Sequence, residues 1–331
     1  MTPLFHPFLV NGADGDPALF IDFLFSRRAI LFDLGDIGRL SPRKILRVSD
    51  LFISHTHIDH FIGFDHFLRI CLGRDRRVRL FGPPRIIGQV EGKLAAYTWN
   101  LVHDYPVDFT ITAIEVGPAN TGRSADFHCR TGFRRENERE VLFPEGVLLE
   151  EASFLIRHTP LDHRTPSLAF ALEEKVHLNV MKNRLQEEGL GVGPWLARLK
   201  EAVLRGEPDD FPVDTGTGVR PLAELRERIL SIVPGQKIAY VTDTGYTPSN
   251  RERIVRLARG ADYLFIETPF LEEDASHAVG KWHLTAGQAG RMAREAGAGR
   301  VIGTHFSPRY KGREEALRRE LQDAFAGKTH P

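Results

Sequence analysis

The sequence predicts an α/β fold built from layered sheets and helices. Apolar runs typical of buried strands alternate with segments whose apolar residues recur at helical spacing, and no internal repeat is visible. The 331 residues, 42% of them hydrophobic, suffice for one large layered domain with a substantial core. Several apolar runs end in short segments rich in His and Asp, which is typical of a rigid scaffold that carries a site on its loops. We therefore expect residues 1–331 to form a single domain.

The amino-terminal half contains predicted strands and one predicted amphipathic helix. Residues 59–71 are predicted to be helical because their phenylalanines are spaced along one face. Residues 118–139 are polar and charged, and we predict a polar excursion from the core there. The predicted strands of this half are residues 29–34, 51–54, 77–81 and 109–116.

In the carboxyl-terminal half, helices alternate with strands that end in polar groups. Apolar, strand-like runs lead into His163, Asp243 and His305, and another spans residues 261–268. Two capping-box patterns predict helix starts. They are Ser249 with Glu252, and Thr285 with Gln288.

Composition excludes several classes of protein. Two cysteines, Cys71 and Cys129, argue against a disulfide scaffold and favour a reducing cytoplasm. No run of about eighteen uncharged apolar residues predicts a membrane span, and the first 25 residues lack the basic segment of a secretory signal. The 44 basic and 44 acidic residues cancel, so net charge does not support nucleic-acid binding. Local basic clusters lie at residues 74–79, 130–139 and 313–319.

The segment His55-Thr56-His57-Ile58-Asp59-His60 is the most informative motif. It places four potential metal ligands within six residues, directly after the apolar run at residues 51–54. Imidazole is a common ligand of zinc and of similar transition metals. The carboxylate among three histidines provides enough ligands for a second ion. The spacing favours a metal site over a polar loop whose histidines only form hydrogen bonds.

This motif resembles the metallo-β-lactamase superfamily, and later motifs resemble ribonuclease Z, the tRNA 3′-processing endonuclease. The later motifs are residues 161–170, 241–246, 266–270, 283–289 and 304–310. The resemblance implies a four-layer αββα sandwich with the metal site along one edge, a homodimer, and precursor tRNA as the substrate. Two zinc ions per chain are implied, although the residue types also suit manganese or iron.

The resemblance also implies roles for individual residues. The first ion would take His55, His57 and His163, the second would take Asp59, His60 and His305, and Asp243 would bridge them. Asp59 would also serve as general base, and His283, oriented by Glu267, would protonate the leaving ribose 3′-oxygen. A histidine that only hydrogen-bonds at a helix start is the alternative for His283. Ser307 and Arg309 would either hold the substrate phosphate or order the loop that carries His305.

Residues 180–212 lie in a long segment between His163 and Asp243 and contain Gly193-Pro194. The spacing is similar to the Gly-Pro-rich arm with which ribonuclease Z grips tRNA, so we expect a substrate-binding arm inserted in the domain. A surface insertion or a dimer contact is the alternative. Trp195 is expected to anchor the arm in the body of the domain rather than touch RNA.

Some regions depart from the family pattern. The glycine-rich opening is not recognisable before residue 29, and residues 32–40 follow the usual Asp-x-Gly-Glu-Gly-Thr pattern only in part. Three hypotheses therefore stand. The first is a dinuclear endoribonuclease acting at tRNA 3′ ends, and the second is a related metallohydrolase of a smaller phosphodiester or another ester or thioester. The third is a metal-binding regulatory protein without turnover.

Overall fold

The computed structural model describes residues 3–328 as two β-sheets packed face to face, with helices on both outer surfaces. The predicted αββα sandwich is confirmed. The strands are β1 (Phe5–Leu9), β2 (Leu19–Phe23), β3 (Ala29–Phe32), β4 (Val48–Phe52), β5 (Arg76–Gly82), β6 (Phe109–Val116), β7 (Thr121–His128), β8 (Arg135–Leu142), β9 (Val147–Glu150), β10 (Phe154–Asp162), β11 (Pro166–Glu174), β12 (Val176–Val180), β13 (Pro212–Asp214), β14 (Val219–Pro221), β15 (Leu230–Pro234), β16 (Lys237–Val241), β17 (Tyr263–Glu267) and β18 (Val301–Thr304). The α-helices are α1 (Pro42–Ile45), α2 (Ile58–Phe61), α3 (Phe64–Cys71), α4 (Ile86–Ala95), α5 (Lys182–Glu187), α6 (Trp195–Arg205), α7 (Leu222–Ile229), α8 (Pro248–Ala258), α9 (Ala275–Lys281), α10 (Ala286–Glu295) and α11 (Glu314–Ala326).

The first sheet contains β1 to β8 side by side in chain order. Its central strands β3, β4, β5 and β6 are parallel, because helices cross over between them. The outer strands on either side are antiparallel. The loops that follow β3 and β4 therefore leave the sheet at the same edge.

The second sheet has the order β18-β17-β16-β11-β10-β9. Strands β16, β17 and β18 are parallel to one another, whereas the pairs β9–β10, β10–β11 and β11–β16 are antiparallel. As a result, the carboxyl ends of the three parallel strands and the turn between β10 and β11 share one edge. This edge carries all the predicted ligands of the second half of the chain.

Apolar packing makes the scaffold of that edge rigid. Between the sheets, Phe32 of β3 stacks on Phe170 of β11 and Tyr240 of β16, with ring centroids 5.5 and 5.8 Å apart. On the outer faces, α3 and α4 cover the first sheet, and α8, α10 and α11 cover the second. Each fully buried large apolar side chain contributes about 1.5–3 kcal/mol to folding.

The single helix predicted over residues 59–71 is wrong, because two helices, α2 and α3, meet at Gly63. The Gly63 amide donates to the Leu34 carbonyl, and a Cβ at this position would lie 2.1 Å from the Gly35 carbonyl oxygen. Backbone from the loop after β3 therefore packs directly against the junction. The interruption comes from this distant segment, so helical periodicity does not reveal it.

The predicted polar excursion at residues 118–139 contains β7 and the first part of β8, two strands that the sequence pattern does not indicate. Most side chains of β8 are exposed, because it is an edge strand of the first sheet. Charged residues protect such edges from pairing with other chains. They also remove the apolar alternation by which a strand is predicted.

The two predicted helix caps have different outcomes. The capping box of Thr285 and Gln288 is confirmed, with each side chain bonded to the other residue's amide at 3.1 and 3.0 Å. The cap at Ser249 is wrong, because α8 begins two residues earlier. Its cap is Thr247, whose hydroxyl accepts from the Asn250 amide at 3.1 Å.

Residues 176–234 form an insertion between β11 and β16. Strands β12 and β15 pair antiparallel at its base, and α5, α6, α7 and the β13–β14 hairpin enclose a separate apolar core. Trp195 lies in this core rather than in the body of the sandwich, and its indole N–H donates to the Gly191 carbonyl at 3.0 Å. The expected arm, residues 180–212, is part of this larger unit.

Within residues 3–328, no helix combines the length and the apolar character needed to cross a bilayer. Cys71 and Cys129 are both buried and carry free thiols. Burial raises the pKa of each thiol to about 11, as expected for packing residues.

Candidate metal centre

The predicted histidine motif forms the loop between β4 and α2. His57 has an extended backbone and directly precedes α2, whose first turn carries Asp59 and His60. His55 and His60 are buried and His57 is exposed. Their rings converge, since the centroid of His55 lies 4.4 Å from that of His57 and 4.2 Å from that of His60.

Asp33, at the end of β3, holds this loop in place. Its Oδ1 accepts from the Ser54 amide at 2.6 Å, and its Oδ2 accepts from the Ser54 and Tyr240 hydroxyls at 2.8 and 2.9 Å. The same Oδ2 lies 2.9 Å from His60 Nδ1. Bonding through Nδ1 turns His60 Nε2 towards the centre, as carboxylates do behind metal-binding histidines.

His163 lies on the turn between β10 and β11. Its Nδ1 donates to the Trp282 carbonyl at 2.6 Å, which leaves Nε2 as the acceptor nitrogen. The His163 ring lies 5.5 Å from His55 and 5.4 Å from His57, centroid to centroid. The hairpin of the second sheet thus faces the histidine loop of the first.

Asp243 and His305 follow β16 and β18 at the same edge. Asp243 is buried at the middle of the cluster. Its Oδ2 lies 3.6 Å from His55 Nε2 and 3.5 Å from His163 Nε2, and its Oδ1 lies 3.5 Å from His60 Nε2 and 3.0 Å from His305 Nδ1. His305 Nε2 lies 3.1 Å from Asp59 Oδ2 on the other side.

The structure brings all seven predicted ligands together. The potential ligand atoms form three groups, and within each group the atoms lie within 4.8 Å of one another. The groups are His55, His57, His163 and Asp243; Asp59, His60 and His305; and Asp243, Glu267, His283 and His305. Most of the spacings around Asp243 are too long for hydrogen bonds. They match the distance of about 3.3 Å that separates two ligand atoms of a tetrahedral metal site whose metal–ligand bonds are about 2.0–2.1 Å long.

Unsatisfied nitrogens provide a test of whether these residues fit metal ions. Among the described residues, His55 Nε2, His60 Nε2 and His305 Nδ1 are buried and find no hydrogen-bond partner. Buried polar atoms without partners are rare and costly, so each needs an explanation. All three point to Asp243 within 3.0–3.6 Å, so the donor set fits metal ions.

The electrostatics of the cluster also favour cations. Burial and the nearby His60 lower the pKa of His55 to about 2, so this imidazole is neutral. Burial opposes ionisation of Asp243, but His305 and His60 outweigh it and hold the pKa of this carboxyl well below its ordinary value. Burial likewise opposes the charge on His305, but Asp243 and Asp59 raise its pKa to about 10. Protonated histidines balance the carboxylates here, and bound ions would replace those protons.

His283 and Glu267 form a second pair beside the cluster. Glu267 ends β17, is fully buried, and accepts from the Thr244 and Leu284 amides at 3.0 and 3.2 Å through Oε1. Its Oε2 lies 2.6 Å from His283 Nδ1. Burial lowers the pKa of His283, but the Glu267 carboxylate outweighs it, so the pKa is raised overall. This pairing favours the protonated imidazole.

Comparison with known proteins identifies the family. A profile described as a beta-lactamase superfamily domain matches residues 212–306. Ribonuclease Z of Deinococcus radiodurans is 30% identical over 304 residues, which cover 90% of this chain and 87% of that protein. The chain belongs to the ribonuclease Z family. It is therefore a metal-dependent hydrolase of the β-lactamase superfamily.

Solved structures agree on the fold of this ribonuclease Z family member. Human tRNase Z, short form, aligns with a TM-score of 0.54 at 18% identity, covering 92% of this chain and 91% of that chain. The metallo-beta-lactamase fold protein YhfI from Bacillus subtilis aligns with a TM-score of 0.55 at 16% identity, covering 97% and 93%. At these identities the likeness establishes the sandwich fold.

The remaining predicted residues, Ser307 and Arg309, lie in the loop after β18. The Ser307 hydroxyl accepts from the Arg309 amide at 3.3 Å, and the Arg309 guanidinium pairs with Asp274 at 3.4 Å. Both contacts order the loop that carries His305. A role for either residue in holding a phosphate stays a prediction.

Two residues of the site, Asp33 and Asn250, have no role predicted from the sequence. Asn250 is buried and ties the loops of two predicted ligands together, since its amide donates to the Asp162 carbonyl at 2.8 Å and to the Thr244 hydroxyl at 2.9 Å. A polar residue on the first turn of α8 is an ordinary surface pattern, so Asn250 gives no sequence signal. Asp33 does give one, because a carboxylate at the end of an apolar strand must be bonded when buried.

Proposed function

We propose that this chain is a dinuclear endoribonuclease that cleaves precursor tRNA at its 3′ end. One observation carries the proposal: in a ribonuclease Z family member, seven potential ligands and the His283–Glu267 pair converge on one edge of the sandwich. A regulatory protein without turnover would need no proton donor beside its metal ligands. The presence of His283 as a proton donor therefore favours an enzyme over a metal-binding regulatory protein.

In this proposal the residues divide into two ligand sets. His55, His57 and His163 would hold one zinc ion, and Asp59, His60 and His305 would hold the other. Asp243 would contribute its two oxygens to both sets, a role supported by its central position between the four nearest nitrogens. Bound divalent ions lower the pKa of water and stabilise the charge that builds on the phosphate oxygens.

The protein's own side chains then move the protons. Asp59 is partly exposed, with 35% of its side chain accessible, so its carboxylate can accept a proton from an attacking water molecule. His283 supplies a proton to the ribose 3′-oxygen as the bond to phosphorus breaks. Glu267 positions His283 through Nδ1, so that Nε2 serves as the donor atom. The buried carboxylate also favours the charged imidazole before transfer.

We further propose that the insertion at residues 176–234 is an arm that binds RNA away from the reaction. It leaves the sheet at the end of β11, whose nine residues run away from His163. At ~3.3 Å per residue the arm begins roughly 25 Å from that histidine. It therefore suits a distant part of a large substrate, or the other subunit of a homodimer. The two buried thiols are consistent with a cytoplasmic enzyme.

Purified protein tested on precursor tRNA and on bis-p-nitrophenyl phosphate would decide between the hypotheses. We expect cleavage of both, loss of both after removal of metal with a chelator, and recovery on adding zinc. Cleavage of the small ester alone would contradict the tRNA proposal. If the zinc-loaded protein cleaved neither substrate, the result would support a metal-binding regulatory protein without turnover. His60→Ala should lower metal content and activity together.

A further inference from the structure

Two strained residues, Arg164 and Trp282, stand beside the candidate metal centre. Their φ angles are 57° and 58°, in the left-handed region that bulky side chains rarely adopt. Each directly adjoins a site residue, since Arg164 follows His163 and Trp282 precedes His283. Strain of this kind persists where the surrounding structure imposes it, and it clusters at functional sites.

Trp282 is held in place at both its backbone and its ring. Its carbonyl accepts from His163 Nδ1 at 2.6 Å. Its indole packs on the backbone of the loop after Asp243, where a Cβ at Gly245 would lie 2.4 Å from the ring. Glycine at position 245 therefore lets the indole lie directly against the loop that carries a predicted metal ligand.

Arg164 lies over this indole. Its guanidinium carbon is 5.5 Å from the Trp282 ring centroid, a cation–π distance, and the side chain is exposed. The backbone amide of Arg164 donates to Asp162 Oδ1 at 2.8 Å, which holds the turn. Within residues 3–328 we find no carboxylate paired with this guanidinium, in contrast to Arg309 with its partner Asp274. The N–H groups of Arg164 remain available to an external anion.

We propose that Arg164, positioned by Trp282, binds a phosphate of single-stranded RNA next to the bond that is cleaved. This inference rests on the proposed function, because it requires a substrate with a second phosphate beside the one that is attacked. Arginine is suited to this task, since two of its N–H groups can contact one phosphate at once. Trp282 is a positioning residue that limits the guanidinium to one side of the site.

The test compares Arg164→Ala with wild type on precursor tRNA over a range of KCl concentrations. We expect KM to rise about tenfold with a smaller change in kcat. The dependence of log(kcat/KM) on log[KCl] should become shallower by about 0.7, the value for one lost phosphate contact on a single strand. The effect on bis-p-nitrophenyl phosphate, which has a single phosphate, should be smaller.

Arg256→Ala is the matched control, because Arg256 is an exposed arginine on α8 that pairs with Glu252. It removes the same charge elsewhere on the surface and should leave KM and the salt dependence unchanged. If Arg164→Ala behaves like this control while wild type cleaves RNA, the inference is overturned. If wild type cleaves the small ester but not RNA, the proposed function fails, and the inference fails with it.

Trp282→Gly tests the positioning role. Glycine adopts a positive φ without penalty, so the carbonyl that holds His163 should stay in place. We expect the same rise in KM and the same shallower salt dependence, with little further change when Arg164→Ala is added. Trp282→Phe, which keeps a ring, should restore most of the affinity. If Trp282→Gly instead lost metal and kcat while its salt dependence stayed unchanged, Trp282 would have a purely structural role. That result would overturn its assignment as the residue that positions Arg164.

Discussion

Replacing Asp33 by asparagine should weaken metal binding although Asp33 is not a predicted ligand. Four hydrogen-bonding groups converge on this carboxylate: the Ser54 amide and hydroxyl, the Tyr240 hydroxyl, and His60 Nδ1, at 2.6 to 2.9 Å. In the variant, an amide NH₂ replaces one oxygen and faces groups that also donate. The two hydroxyls can rotate and accept instead. His60 can only adapt by moving its proton from Nδ1 to Nε2, the nitrogen that faces Asp243 at 3.5 Å.

The size of the effect follows from this tautomer change. A proton on Nε2 removes the lone pair with which His60 would bind an ion. If the asparagine turns over to keep its oxygen near His60, the buried Ser54 amide loses its acceptor, at a cost of about 1–3 kcal/mol. Changes behind a metal ligand typically weaken metal binding about 10–100-fold. This corresponds to about 1.4–2.8 kcal/mol.

The assay is a zinc titration of metal-free protein, with metal content measured by mass spectrometry and hydrolysis of bis-p-nitrophenyl phosphate measured in parallel. We expect Asp33→Asn to bind one ion about 10–100-fold more weakly and to lose activity at limiting zinc. Asp50→Asn is the control, because Asp50 is equally buried but pairs with Arg28 and Arg79. It should lower thermal stability without changing zinc affinity. Two ions bound to Asp33→Asn with wild-type affinity would refute the reasoning.

Three further predictions follow from other parts of the structure. His283→Ala should slow cleavage of precursor tRNA about 100-fold or more at unchanged zinc content, because general-acid catalysis contributes about 10²–10⁴-fold; a variant that loses zinc would show that His283 is a ligand instead. Glu267→Gln should move the alkaline limb of the pH–rate profile to lower pH. Glu267 raises the pKa of His283, the acid works when protonated, and without the carboxylate the proton is lost at lower pH; an unmoved limb would rule out His283 as the titrating acid. Trp195→Ala should destabilise the insertion by about 3–5 kcal/mol, seen as faster hydrogen exchange within residues 176–234. Hydrolysis of the small ester should persist, because the insertion has its own core, and its loss would show that the two units depend on each other.

Short sequence motifs contain most residues of the candidate site. Four of the seven potential ligands lie within six residues, and the other three each follow an apolar strand-like run. Parallel strands place the loops of Asp243 and His305 at a common edge, whereas His163 lies on the turn between the antiparallel strands β10 and β11. The sequence also marks Thr285 and Gln288 correctly, because a capping box involves only residues three positions apart.

The errors of the sequence analysis share one cause. Helix α2 ends near Gly63 because backbone around residue 35 packs there, and β8 is a strand because it pairs with β7 despite its exposed, charged side chains. The cap of α8 lies at Thr247 rather than Ser249, although both can accept a hydrogen bond. In each case the sequence allows more than one local structure, and tertiary contacts select among them.

Fold class, family resemblance and the identity of the potential ligands can all be read from the order of the amino acids, because each depends on residues close together in the chain. The groups that hold those ligands in place are seen only once the two sheets are packed. Asp33 and Tyr240 are 207 positions apart yet bonded at 2.9 Å, and the His163 ring is held by the carbonyl of Trp282, 119 positions away. Such contacts arise when two sheets pack face to face, and no pattern of neighbouring residues encodes which distant groups meet there.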